Sequence, residues 1–207
     1  MDGGRAPGPT PPSIPLVIYV HGCAGLDEDA ERWAQVLTSA GYAVVAPDSF
    51  ARAGRRPRCD GRRPYRPDDR GVLALRESEI RYAVQQARTL PWVGEATIVL
   101  LGFDQGAVVV AGYGDGAVGA YILTGWTCTS PDVRQGLFTP LDQPVLAIRW
   151  ADDPMFADAA WNGECGSHLG PRPGSRSIVL DGPGHSVVTD PGAREAVVQF
   201  LRAHTRR

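Results

Sequence analysis

The chain has 207 residues, 43% of them hydrophobic, and a formal net charge of −2. That suits one globular domain with a sizeable core and gives no electrostatic reason to expect a nucleic-acid or membrane partner. All 21 basic residues are arginine, which excludes Schiff-base chemistry and lysine-anchored pyridoxal phosphate.

Met1 to Ser13 is Gly/Pro-rich and has no apolar stretch. It reads as a disordered tail, neither signal peptide nor membrane span, and leaves 14–207 as a single domain. Ile14 to Val20 is a buried strand running into the turn-rich His21-Gly22-Cys23-Ala24-Gly25. Asp27 to Ala40 reads as a helix, with Trp33, Val36, Leu37 and Ala40 on one face and Gly41 as its stop. Tyr42 to Ala46 is a second strand. Arg52 to Arg70 is an irregular loop carrying eight arginines; a solvated loop is expected, with cover over a cleft as the functional alternative. Val72 to Leu90 is a helix stopped by Pro91. Short strands follow at Thr97 onward, Val118 to Leu123, Val145 to Trp150 and Ser177 to Leu180. Asp190-Pro191 opens a closing helix, cap and then first-turn proline. Six strands alternating with helices predict a doubly wound, mainly parallel sheet, with its site at the carboxyl ends of the strands.

The informative turn lies between the strand from Thr97 and a small-residue helix ending near Tyr113. Gly102-Phe103-Asp104-Gln105-Gly106 is a strand-to-helix elbow of the G-x-S-x-G kind with aspartate at its centre. Both glycines have a steric reason, because a Cβ at either place meets the neighbouring backbone. Aspartate visits positive φ more readily than most residues. Two later strands also end in chemistry: Asp152-Asp153 after one, and Gly184-His185 after the other. The order nucleophile, acid, histidine is that of an α/β-hydrolase sheet. Asp153 is the expected acid and Asp152 the alternate.

On these segments, together with YAVVAPDSF at Tyr42 to Phe50, the chain resembles the dienelactone-hydrolase-like branch of the α/β-hydrolase superfamily, over about Ile14 to Ala203. Relatives carry Ser or Cys where Asp104 stands. The resemblance implies an α/β-hydrolase fold of about six or more strands, and an oxyanion hole from the backbone amides of Cys23 and Gln105. No cap domain is expected, because Thr124 to Pro144 is too short for one. His21 is expected to be structural.

Aspartate changes the chemistry. A tetrahedral adduct of a carboxylate with an ester must expel either carboxylate, pKa ~4, or an alkoxide, pKa ~16. That gap, on the order of 15 kcal/mol, returns the adduct to starting material. Attack on the saturated carbon of an epoxide or alkyl halide instead leaves an alkyl ester on Asp104. His185, oriented by Asp153, would activate water to hydrolyse it, as in epoxide hydrolases and haloalkane dehalogenases, which look similar at this level. Asp104 as general base in an isomerase, cyclase or lyase, or a Ser-to-Asp relative that binds without turnover, are the alternatives. Trp126 and Trp150 are expected substrate contacts; Trp161 and the Gln105 amide are further leaving-group donors. Cys165-x-x-His168 with Cys128 has no fourth soft ligand, so no metal and no cofactor are expected. Four cysteines predict no disulfide framework and a cytoplasmic setting.

Overall fold

Strand residues here are apolar on both sides, and the two sides are buried in different layers. Leu16, Ile18 and Val20 face one core and Val17 and Tyr19 the other, the signature of a parallel sheet covered on both faces. The computed structural model describes residues 13–55, 69–93, 97–115, 117–131 and 134–205. The tail expected over Met1 to Ser13, save its last residue, and most of the arginine loop lie outside the described residues.

In chain order the elements are β1 (Leu16–Val20), α1 (Glu28–Ser39), β2 (Ala43–Val45), α2 (Asp69–Arg88), β3 (Ile98–Phe103), α3 (Gln105–Ala111), β4 (Ala120–Thr124), β5 (Val145–Asp152), β6 (Arg176–Pro183) and α4 (Pro191–His204). The strands form one sheet in the order β2-β1-β3-β4-β5-β6, every neighbouring pair parallel. Ile80, Val84 and Ala87 of α2 and Val108 to Ala111 of α3 fill one layer. Trp33 and Leu37 of α1 and Val197, Phe200 and Leu201 of α4 fill the other. Among the described residues no cap separates β4 from β5, and no helix is long and apolar enough to cross a membrane.

The helix starts follow their caps. The Asp27 carboxylate accepts from the Asp29 N–H at 3.1 Å, and that of Asp190 accepts from the Ala193 N–H at 2.7 Å with Pro191 in the first turn. The strand ends are less regular. β5 runs on through an irregularity between Trp150 and Asp152, where Asp152 pairs with Pro183. Both last strands are therefore longer than their apolar runs, and Asp152 belongs to β5 itself.

One cysteine expectation is overturned. Cys128 and Cys165 form a disulfide with Cα atoms 4.9 Å apart, and Cys23 is also disulfide-bonded. Cys128 follows β4 and Cys165 opens a short 3-10 turn after β5, so one bridge ties two successive crossover loops together. The pairing is non-local, which is why spacing along the chain did not announce it.

Candidate active site

The elbow is built by backbone collision. A Cβ at Gly106 would be driven into the Val20 carbonyl, and one at Gly102 would lie 2.5 Å from the Gly106 carbonyl oxygen. With both side chains removed, α3 starts directly beneath β1 and β3. Asp104, between them, takes φ 51° and ψ −120°, a region that costs a non-glycine residue on the order of 1–3 kcal/mol. The surroundings hold it there: its N–H donates to the Thr124 carbonyl at 3.0 Å, and the Thr124 hydroxyl donates to the Gly102 carbonyl at 2.9 Å. The carboxylate is 3% exposed.

That carboxylate is divided between two neighbours. The Cys23 N–H donates to Asp104 Oδ2 at 3.0 Å. Oδ1 lies 3.7 Å from His185 Nε2, an ion-pair distance longer than a hydrogen bond. His185 Nδ1 and Asp153 Oδ2 are 2.7 Å apart. Asp153 is buried, while Asp152, one residue earlier and thus on the other side of the strand, is exposed. The second oxygen of Asp153 caps the following 3-10 turn by accepting from the Met155 N–H at 2.9 Å. The histidine ring is steadied by Phe103 and Phe156, with ring centroids 5.0 and 6.1 Å away. Burial alone would lower the His185 pKa, but the hydrogen bond with Asp153 and the charges of Asp104, Asp153 and Asp29 outweigh it. The net direction is upward.

These groups open into a cleft of about 350 Å³ at the carboxyl ends of β1 and β3, lined by Cys23, Asp29, Asp104, Met155, His185 and Ser186 among others. Neither Trp126 nor Trp150 lines it. Trp126 is buried in the core, and the Trp150 indole N–H donates to the Ser186 carbonyl at 3.1 Å. Trp161 is likewise a core residue. The Gln105 side chain is committed elsewhere: its Oε1 accepts from Arg76 at 2.9 Å. Arg76, buried in α2, also donates to the His21 carbonyl. His21 is fully buried, accepts from the Ser49 N–H at 3.2 Å, and has its pKa lowered by burial and by the Arg76 charge. Its place is structural, beneath the loop carrying Cys23. The Cys23 N–H, one of the two amides expected to form the oxyanion hole, is engaged by the Asp104 carboxylate. Cys128 and Cys165 bind each other and not a metal, and among the described residues no cluster could hold one.

Two cleft residues carry no local sequence signal. Asp29 looks like an ordinary acidic residue in a helix's first turn, and Ser186 like loop. In the fold they meet: the Ser186 hydroxyl donates to Asp29 Oδ1 at 2.6 Å. Burial pushes the Asp29 carboxyl up from its ordinary value, against the hydrogen bond from Ser186.

Solved structures share the fold at low identity. An esterase of Pyrococcus furiosus superposes with a TM-score of 0.65 at 13% identity, covering 93% of this chain and 84% of its own. A cold-adapted esterase from an Arctic intertidal metagenomic library gives 0.63 at 17%, covering 94% and 84%. Est1E from Butyrivibrio proteoclasticus gives 0.61 at 16%, covering 93% and 87%. No curated protein matches the chain. The family model for the dienelactone hydrolase family matches residues 3–163, a span that holds the elbow, the Cys23 loop and Asp153 and stops short of His185. With well over half of its length matched, the chain belongs to the dienelactone hydrolase family.

Proposed function

We propose that this hydrolase opens a small organic electrophile at a saturated carbon, with Asp104 as nucleophile. The observation that carries the reading is the division of the Asp104 carboxylate, Oδ2 on the Cys23 amide and Oδ1 3.7 Å from His185 Nε2. Attack through Oδ1 on an epoxide or alkyl-halide carbon leaves Oδ2 as the carbonyl oxygen of an alkyl ester. That oxygen already sits on a backbone donor where negative charge develops when water adds to the ester carbon. His185 acts in this second step. Asp153 holds the ring through Nδ1 and leaves Nε2 to take a proton from water. The Gln105 amide is the second donor of the hole, and the triad is Asp104, His185 and Asp153.

Direct attack on an ester carbonyl is disfavoured, because the carboxylate is expelled from the adduct in preference to an alkoxide by about 12 pKa units. The esterase activity named for the structural neighbours therefore does not transfer to a chain with aspartate at this position. A cytoplasmic setting is not part of the proposal: disulfides persist in oxidising compartments, and two cysteines here are paired with each other.

The two-step scheme separates the roles of the residues. His185→Gln should still be alkylated on Asp104 but hydrolyse the ester slowly, so intact-mass spectrometry should find a stable adduct, placed on Asp104 by peptide mapping. Asp104→Ala should give none. Fast turnover by His185→Gln without an adduct would overturn the covalent scheme and favour Asp104 as a general base.

A further inference from the structure

When water adds to the ester on Asp104, negative charge gathers on Oδ2, so the rate of that step depends on how the Cys23 and Gln105 amides are held. The two amides belong to separate segments, the loop after β1 and the first turn of α3. Arg76 of α2 is 1% exposed and touches both segments. Its Nη1 donates to Gln105 Oε1 at 2.9 Å, and its Nη2 donates to the His21 carbonyl. A guanidinium is planar and keeps its two Nη atoms at a fixed spacing. One side chain therefore sets how far the β1 loop stands from the start of α3. The same junction is packed without slack: a Cβ at Gly106 would lie 2.6 Å from the His21 carbonyl oxygen.

His21 carries this hold to the donor itself. Its Nε2 accepts from the Ser49 N–H at 3.2 Å, which leaves the proton of the neutral ring on Nδ1. Nδ1 lies 2.6 Å from the Gly22 carbonyl and donates to it. Burial, and then the charge of Arg76 3.3 Å from that nitrogen, lowers the ring's pKa and favours this neutral form. The Gly22 C=O and the Cys23 N–H are the two ends of one trans peptide plane. Fixing the carbonyl fixes the direction of the Cys23 N–H, which points at Asp104 Oδ2, 3.0 Å away. We propose that Arg76 is a positioning residue for ester hydrolysis, holding the two amide donors, through Gln105 and through His21, at the spacing an oxyanion on Oδ2 needs. This deepens the reading of Asp104 as the nucleophile and rests on it. The two chemical steps respond to the hold differently. Alkylation withdraws charge from the carboxylate, so donors on Oδ2 do nothing to speed it. Addition of hydroxide to the ester carbon returns charge to Oδ2, and there the donors lower the barrier.

The test times the two steps separately on the full chain. Styrene oxide is mixed with excess enzyme, samples are quenched in acid, and intact-mass spectrometry follows the adduct as it rises and decays. Arg76→Met keeps the reach of the side chain and loses every donor. It should be alkylated within about threefold of the parent rate and hydrolyse the adduct about tenfold or more slowly, so that adduct accumulates although His185 is present. Arg76→Lys keeps the charge and one point of contact, and should recover part of the hydrolysis rate. Gln105→Met leaves its backbone amide in place and removes the acceptor on α3. It should slow the same step, and it carries the test if Arg76→Met does not fold. A role in folding alone would lower the urea midpoint and leave hydrolysis by the folded fraction unchanged. Hydrolysis at the parent rate in the folded variants, or equal slowing of both steps, would overturn the role of Arg76. The reading beneath it is checked apart, in His185→Gln: no adduct on Asp104 from styrene oxide there would overturn the nucleophile, and this inference with it.

Discussion

Asp104 occupies a backbone position that only a tightly determined site tolerates, with φ 51° and ψ −120°. Its carboxylate also occupies the Cys23 amide that, for a serine, would receive the substrate's oxyanion. The two facts make Asp104→Ser an informative substitution. Serine fits the same elbow, releases the Cys23 N–H, and leaves His185 and Asp153 paired at 2.7 Å. Its tetrahedral adduct partitions between two alkoxide leaving groups and can go on to an acyl-enzyme, so the penalty on the order of 15 kcal/mol that blocks aspartate at an ester carbonyl disappears. The variant should gain a burst with p-nitrophenyl acetate and lose any epoxide opening. A folded Asp104→Ser protein with no burst would mean that the donors or the histidine are misaligned for acyl transfer. At this scale the sequence was most legible where chain order carried the information: aspartate in the elbow, Asp153 after one strand, His185 after the next. Asp29, Ser186 and the burial of Trp126 depend on which elements pack together, and no local pattern encodes that.

The elbow works because β3 and α3 meet at an angle that leaves no room for a Cβ on either side of it. Both missing atoms would fall on backbone, and Gly106 is the stricter of the two positions because its Cβ would come closer, onto the Val20 carbonyl of β1. Gly106→Ala must push α3 away from β1 and carries Asp104 and Gln105 with it. It should cost about 3 kcal/mol or more, read as a lower urea midpoint, and should abolish adduct formation even in whatever fraction folds. An unchanged midpoint would mean that the β1–α3 contact is looser than the geometry gives. The elements themselves were readable because their signals are local: β-branched runs for strands, Asp27 and Asp190 as caps, Gly41 as a stop. Their ends were not. β5 and β6 extend past their apolar runs because they pair with each other across the irregularity at Trp150, and α2 begins at Asp69, upstream of its first apolar residue at Val72.

Across the whole molecule the site is assembled from loops of separate crossovers, and what keeps those loops in register is partly covalent. Cys128 stands beyond β4 and Cys165 beyond β5, 37 residues apart in sequence, and between them runs the strand that delivers Asp153. The number of cysteines does not reveal this bridge, because a link between successive crossovers depends on the sheet order that places those loops side by side. In the chain-entropy view, closing a loop of that length stabilises the fold by about 4 kcal/mol. A reductant is a poor way to test it, since Cys23 is disulfide-bonded as well. The double variant Cys128→Ser/Cys165→Ser isolates the one bridge. It should unfold at lower urea with an unchanged His185–Asp153 pairing, because that hydrogen bond is set by the ends of β5 and β6 and not by the staple. Stability is then read from the urea midpoint, and the pairing from the imidazole proton resonances of His185. Loss of stability well short of 4 kcal/mol would show that the unfolded chain is already compact around these loops. Loss of the His185 resonance would show that the bridge positions the catalytic loop as well as stabilising the fold.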